Sequence, residues 1–427
     1  MLAFLLGAGA SRELGMPIRA ELNAELLGWL NPASLRKIND SWRARGYGYS
    51  DDIIAHVVEA LDAPDFDYEN LLARWEDRFA ATGDASYHRL YAWLAQVVSQ
   101  ALFRRQVSNR QVYVDGFPYF SGLAALARQH TPLWIFSLNH DVVVECLAAH
   151  FGLPIACGFS QRTITLPCRK APGDIVATMQ AHVLSEAELA EAALPFFPSG
   201  TPGINLLKIR GALDIFALDN THDLIKLAPR SADFDAIIDV LQIANEGLLD
   251  NLLAPDPLSI TNQIPWIDEQ GNRRVLRRTL MASETQLTDP YPHLMQRRFL
   301  EYFRIHLGSV ERLVAIGYGM GQDDVNEVLQ DWLAGAPLLD RTGQLVGVVV
   351  AQRDDEITQL PAVPLDQIRA FLGGELPAEI FDLPRHDPQS VGPLVYDLHA
   401  QRFGSELLLT GSLGSRSLLL NHLRHLP

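Results

Sequence analysis

The chain begins with an apolar run, Leu2 to Leu6, that stops at Gly7-Ala8-Gly9. A short continuous apolar run ended by glycine is the pattern of a strand buried on both faces of a parallel sheet. Pro17, with Ala20, Leu22, Ala24, Leu26 and Leu27 behind it, predicts that a helix follows. The same alternation recurs downstream. Leu133–Leu138 runs into Asn139-His140-Asp141 and a helix over Val142–His150. Pro154–Cys157 is a short strand, and Ile204–Ile209 is another that ends at Arg210-Gly211. Leu313–Ile316 ends at Gly317-Tyr318-Gly319 and leads to a helix over Asp323–Leu333, and Leu345–Val350 is a sixth strand.

Between these units the pattern is helical. Ile53, Ile54, Val57, Val58 and Leu61 fall at helical spacing, as do Leu90, Leu94, Val97 and Leu102, so residues 50–110 predict a helical insertion lobe. Helices are also expected over Leu123–Arg128, the Ala-rich Asp174–Leu194, Asp235–Asn251 and Leu294–Leu307. His222 to Pro292 reads as a long polar region with a loop at Asp268–Asn272. Strands alternating with helices predict an α/β fold on a doubly wound parallel sheet, which binds ligands outside the carboxyl ends of its strands. The predicted division is one domain over 1–335 and a C-terminal strand and extension over 336–427, where prolines from Pro361 onward break the pattern.

Composition narrows the function classes. The 427 residues carry 35 Lys+Arg against 51 Asp+Glu, a formal net charge of -16, which disfavours direct nucleic-acid binding. Three cysteines, Cys146, Cys157 and Cys168, are too few for a disulfide scaffold and lack the paired spacing of a structural zinc module. The N-terminal apolar run has no charged residue before it, so it reads as a strand rather than a signal peptide, and the expected location is cytoplasmic, with no membrane association.

Four segments after predicted strands carry the candidate chemistry. Gly7-Ala8-Gly9-Ala10-Ser11 suits close approach of a pyrophosphate to a helix N-terminus, and equally suits a tight turn; the third glycine of a full dinucleotide fingerprint is replaced by Arg12. Asn139 has both donor and acceptor capacity to hold a sugar hydroxyl or a water. Asp141 stands where a helix cap would stand, and His140 is either a base or a turn residue. Lys208-Ile209-Arg210-Gly211-Ala212-Leu213-Asp214 follows the fourth strand, and Gly317 to Asn326 follows the fifth.

The order and placement of these segments resemble the sirtuin-like proteins, specifically the prokaryotic branch that hydrolyses NAD in anti-phage defence. The segments that carry the resemblance are FLLGAGAS at 4–11, Gly15-Met16-Pro17, Asp67 to Leu72, SLNHDVVVE at 137–145, LLKIRGALD at 206–214 and LVAIGYGMGQDDVNEVL at 313–329. The resemblance implies a Rossmann-like domain with NAD as substrate and no zinc. It implies that Gly7, Ala8, Gly9 and Ser11 lie by the diphosphate, that Pro17 also binds the cofactor, that Asn139 and Asp141 line the ribose and nicotinamide pocket, and that Gly317, Tyr318 and Asn326 lie by the adenosine half. It further implies a homo-oligomer, with a HerA-class ATPase as one partner such proteins use.

One position departs from that pattern. Where the family carries a catalytic histidine in Leu-His-Gly, this chain has Arg210. An arginine stays protonated and cannot serve as a general base, though it suits a phosphate or carboxylate. Three outcomes follow. Hydrolysis proceeds without that base, since neutral nicotinamide leaves unaided. Or another histidine, His140 or His182, supplies it. Or the chain is a catalytically impaired subunit that binds NAD or ADP-ribose. A plain dinucleotide oxidoreductase fits less well because of Arg12. The chain also lacks the zinc module of deacylating sirtuins and the Asp-Phe-Arg of their Gly-Ile-Pro element; Ile18-Arg19-Ala20 follows Pro17 instead.

Overall fold

In the computed structural model Leu2–Leu6 (β1) is an inner strand of a parallel sheet. The structure describes residues 1–247 apart from 45, 47, 65, 172–173, 192–193 and 219–222; 263–279 apart from 269 and 271; 290–333 apart from 311 and 320–321; and five strands beyond. A 3-10 helix, Ala8–Leu14, follows β1, and then a series of helices: α1 (Arg19–Trp29), α2 (Pro32–Arg43), α3 (Asp51–Leu61), α4 (Tyr68–Thr82), α5 (Ala85–Ser108), α6 (Arg110–Gly116) and α7 (Ser121–Gln129). Then come β2 (Leu133–Ser137), α8 (Val143–His150), β3 (Ile155–Ala156), β4 (Thr163–Ala171), β5 (Asp174–Leu184), α9 (Glu186–Ala190), β6 (Ile204–Lys208), β7 (Ile215–Leu218), β8 (Leu224–Ala228) and α10 (Phe234–Gly247). The remaining elements are β9 (Gln263–Ile267), β10 (Arg273–Arg278), α11 (Pro290–Leu307), β11 (Arg312–Ile316), α12 (Asp323–Leu333), β12 (Pro337–Leu339), β13 (Leu345–Val349), β14 (Ala362–Pro364), β15 (Leu407–Thr410) and β16 (Ser417–Asn421).

Five parallel strands stand in the order β11-β1-β2-β6-β3, the frame of an α/β, Rossmann-like fold. β16 adds a parallel strand beside β11. The pleat divides the side chains. Ala3, Leu5, Trp134, Phe136 and Leu207 face Phe299, Tyr302 and Phe303 of α11 and Val325, Val328 and Leu329 of α12. Phe4, Leu133, Ile135, Ile204 and Leu206 face Ala127 of α7 and Val144 and Ala148 of α8. Both faces are covered by helices, which is why the strands read as unbroken apolar runs rather than alternating ones.

A second sheet was not expected. It runs β4-β5-β8-β7-β10-β9 and is antiparallel throughout. The helix expected over Asp174–Leu194 is therefore corrected to a strand, β5, with only Glu186–Ala190 helical. Alanine content suggested a helix, but Met179, Ala181 and Val183 repeat every second residue and are buried against the helical core, which is a strand period. The polar region 222–292 likewise contains β8, β9 and β10, with the expected loop at Asp268–Asn272 forming the β9–β10 turn. Leu345–Val349 is a strand, but it pairs antiparallel with β12 and β14 and so does not extend the parallel set. Most of 354–427, and residues 248–251 of the helix expected over Asp235–Asn251, lie outside the described residues. Among the described residues no helix is long and apolar enough to cross a membrane.

α11 is seated on the sheet partly through His306, whose ring stacks on Trp134 with centroids 4.2 Å apart. Burial pulls its pKa down to about 4, so the ring stays neutral in the fold. Below its ordinary value near 6.5 only the unfolded chain takes up this proton, so the group favours folding fully above that value and the contribution is lost as pH falls toward 4. Chemical denaturation between pH 7 and 4 should show stability falling by about 1.4 kcal/mol per pH unit for each such histidine. His306→Phe should remove its share of the slope; an unchanged slope would contradict this assignment.

Candidate functional site

The expected site residues come from the carboxyl ends of β1, β2, β6 and β11, and most of them meet there. The turn after β1 is built against the turn after β11. Gly7 N–H donates to Ile316 O at 2.9 Å and Gly9 N–H to Gly317 O at 3.1 Å. A Cβ on Gly7 would lie 2.5 Å from Gly317 O, and one on Gly9 2.8 Å from Gly317 Cα. Gly317 has φ +65°, and a Cβ there would sit 2.1 Å from Ala10 N. These glycines are thus required by contact between two backbones. The turn reading of Gly7-Ala8-Gly9 is the one the geometry accounts for directly, and Ala8 is its exposed residue.

Asn139 closes the turn from the β2 side. Its Nδ2 donates to Gly7 O at 2.9 Å and to Ser11 Oγ at 3.0 Å. With both amide protons committed, Oδ1 is the acceptor it has left. Ser11 hydrogen-bonds Asp141 in turn, and Asp141 Oδ1 accepts the Val143 N–H at 3.0 Å in a turn one residue ahead of the α8 cap, which is Val142 rather than Asp141. Burial raises the Asp141 pKa against the opposing pull of Lys208 and Ser11. His140 faces Gly211 O at 3.4 Å through Nδ1. Burial takes its pKa down to about 4, and the nearby Lys208 and Arg210 add to that, so it is neutral near pH 7. His182, the other candidate base, lies on β5 of the second sheet opposite Lys226.

Arg210 is buried and turned toward the turn after β11. Its guanidinium pairs with Asp324, and Nε lies 3.4 Å from Gln322 Oε1. Tyr318 and Asn326 are bonded to each other, with Tyr318 Oη donating to Asn326 Oδ1 at 2.7 Å. Burial raises the Tyr318 pKa, so the phenol keeps its proton. Pro17 follows Met16, whose N–H donates to Ser11 O at 3.2 Å. It is buried in the turn into α1, where Gly15 O accepts from Asn109 Nδ2 at 2.8 Å and Met16 Sδ from Tyr113 Oη at 3.6 Å. The acidic stretch at 67–72 starts α4. Asp67 caps it by accepting from Glu69 N–H at 2.9 Å and also holds the Arg19 guanidinium. Burial raises the Glu69 pKa more than Arg19, 3.1 Å away, lowers it.

Beneath these turns lies a charged group that sequence reasoning passed over. Lys208 at the end of β6 is 3% exposed, and its Nζ donates to Asn139 O at 3.4 Å and to Asp141 O. It lies 3.6 Å from Glu145 Oε2 on α8. Glu145 Oε1 in turn accepts from Lys226 Nζ of β8 at 3.0 Å, and Lys226 also pairs with Asp214 before β7. Burial works against the Lys226 ammonium, but Asp214 and Glu145 outweigh it and keep it protonated. The signal was present: Lys208 is the one charge in an apolar strand, and Glu145 interrupts a run of three valines. Cys146 and Cys157, which interact with these same charges, are free thiols whose pKa values burial raises. Among the described residues no cluster of His, Cys, Asp and Glu is arranged to hold a metal.

No protein-family model matches this chain, and no curated protein matches it.

Two substitutions test this construction. Gly317→Ala should destabilise the protein by about 2–4 kcal/mol, from a Cβ forced into backbone and a left-handed φ. Lys208→Met leaves buried Glu145 and Asp214 to share Lys226 alone and frees two carbonyls, and should cost about 3–5 kcal/mol. Denaturant titration reads both; a loss under 1 kcal/mol in either, roughly the level of an ordinary surface change, would contradict the packing described.

Proposed function

We propose that this protein is an NAD glycohydrolase of the sirtuin-like kind, releasing nicotinamide and ADP-ribose, and that it serves as the effector of a bacterial anti-phage system. The observation that supports this most is the meeting of the turns after β1, β2, β6 and β11 around Asn139, at the place where open parallel sheets take their ligands.

The chemistry needs little from the chain. Breaking the N-glycosidic bond of NAD leaves neutral nicotinamide, so no acid must protonate the leaving group. Positive charge builds on the ribose, and water adds to it. Asn139, with Nδ2 held by Gly7 and Ser11, offers Oδ1 to a water or a ribose hydroxyl. Neutral His140 beside Gly211 is the histidine of the site that is able to accept a proton from that water. In this reading the helices over 50–110 form a lobe over the site, the cellular location is the cytoplasm, and self-association or a HerA-class ATPase restrains and triggers the enzyme.

The expected result is nicotinamide release from NAD by the purified chain, alone or with its partner. Asn139→Ala should lower the rate by about 10²-fold or more. His140→Gln should lower it by about 10²–10⁴-fold. Absence of release under all these conditions would overturn the proposal.

A second reading has its own observation. Arg210, in the family's histidine position, is fixed to Asp324 and Gln322 and is no base. It favours a subunit that binds NAD or ADP-ribose without turnover. Saturable binding without product, with hydrolysis appearing in Arg210→His, would select this reading over the first.

A further inference from the structure

Arg278, the last residue of β10, is a half-buried cation that no carboxylate neutralises among the described residues. Its Nη1 is enclosed and has no hydrogen-bond partner among the described residues. It pairs in register with Phe216, so its side chain lies on the same face of the second sheet as the buried Phe216 and Leu276. The buried charges described above are matched. Lys226 has Asp214 and Glu145, Lys208 has Glu145 and two carbonyls, and Arg210 has Asp324. Burial alone acts on the Arg278 guanidinium, lowering its pKa to about 10 with no carboxylate opposing it. It is still protonated near neutral pH, and a half-buried charge without a partner among the described residues is held at a cost.

Its position gives that charge a use. Thr279, next in the chain, closes on the loop after β6. Thr279 Oγ1 donates to Ile215 O at 2.8 Å, and a Cβ on Gly211 would lie 2.0 Å from Thr279 O. Gly211 follows Arg210 directly and accepts from the His140 ring. Arg278 therefore flanks the same backbone contact that Arg210 flanks from the other side, at the carboxyl end of the parallel sheet. The turn after β1 is filled by the turn after β11, so its glycines leave an anionic ligand in need of a cation from elsewhere.

We propose that Arg278 is the anchor of an anion site at the β6–β10 junction, and that the group it takes is the phosphate of a small ligand. A guanidinium presents a planar fork of N–H donors that matches phosphate oxygens, and such charge-assisted pairs strengthen where water is excluded. Nothing in this assignment depends on hydrolysis of NAD; it holds for any phosphate-bearing ligand that reaches the junction.

The test uses the full chain, with inorganic phosphate as the probe and chloride or acetate at matched ionic strength as controls. Phosphate should raise the unfolding temperature of the parent protein in a saturable way. Arg278→Met should be at least as stable as the parent in phosphate-free buffer, because it removes an unmatched charge, and should lose the phosphate response. Arg278→Lys should keep the response with affinity about tenfold weaker. An Arg278→Met protein that is less stable in phosphate-free buffer and still responds to phosphate would overturn the site. An acetate response equal to that of phosphate would overturn the phosphate assignment. A parent protein indifferent to phosphate would overturn both, whatever the outcome of nicotinamide-release assays.

Discussion

Two lysines buried between the sheets hold the strand-end region in place. Lys208 reaches from β6 under the loop 139–141 and binds two of its carbonyls, while Lys226 reaches from β8 to the same glutamate, Glu145, and to Asp214. One connected group of charges thus ties the parallel sheet, helix α8 and the antiparallel sheet together. Its parts are strongly interdependent, because a buried charge is tolerable only while its partner is present. The position of Asn139, and with it the closure of the turn after β1, rests on this arrangement.

Above that layer the glycines act through shape. Gly7, Gly9 and Gly317 let two turns touch at backbone distance, and Asn139 and Ser11 lock the contact with side-chain hydrogen bonds. The strand-end residues expected to surround a dinucleotide come together, and Pro17 lies in the turn into α1 next to Met16, which is bonded to Ser11. Several of them spend their polar groups on one another. Tyr318 is bonded to Asn326, Arg210 to Asp324, and Ser11 to Asp141. Among the described residues, groups left with capacity include the Asn139 oxygen, the neutral His140 ring and Nη1 of Arg278.

The parallel strands were legible because burial on both faces writes an uninterrupted apolar run, as in Leu133–Ser137 and Ile204–Lys208. The strand ends were legible because glycine and polar residues follow those runs at once. The antiparallel sheet was not. β5 alternates small and larger apolar residues, and its alanines imitate a helix. β9 and β10 carry Gln263, Arg273, Arg274, Arg277 and Arg278, which imitate an exposed loop. The charged layer was visible only as single charges within apolar runs, and no spacing rule announces that Lys208 and Lys226, distant in sequence, converge on one glutamate. The sequence pattern at 206–214 located Arg210 but could not say that it would pair with Asp324.

The central claim is that the carboxyl ends of β1, β2, β6 and β11 form one nucleotide site organised by Asn139. Calorimetric titration of ADP-ribose, which lacks the scissile bond and gives no heat of hydrolysis, tests it most directly. The account predicts one saturable site per chain in the parent protein and affinity lower by about tenfold or more in Asn139→Ala, in line with the loss of a positioned hydrogen-bonding group. No binding by the parent protein at millimolar ligand, or equal binding by Asn139→Ala, would contradict it.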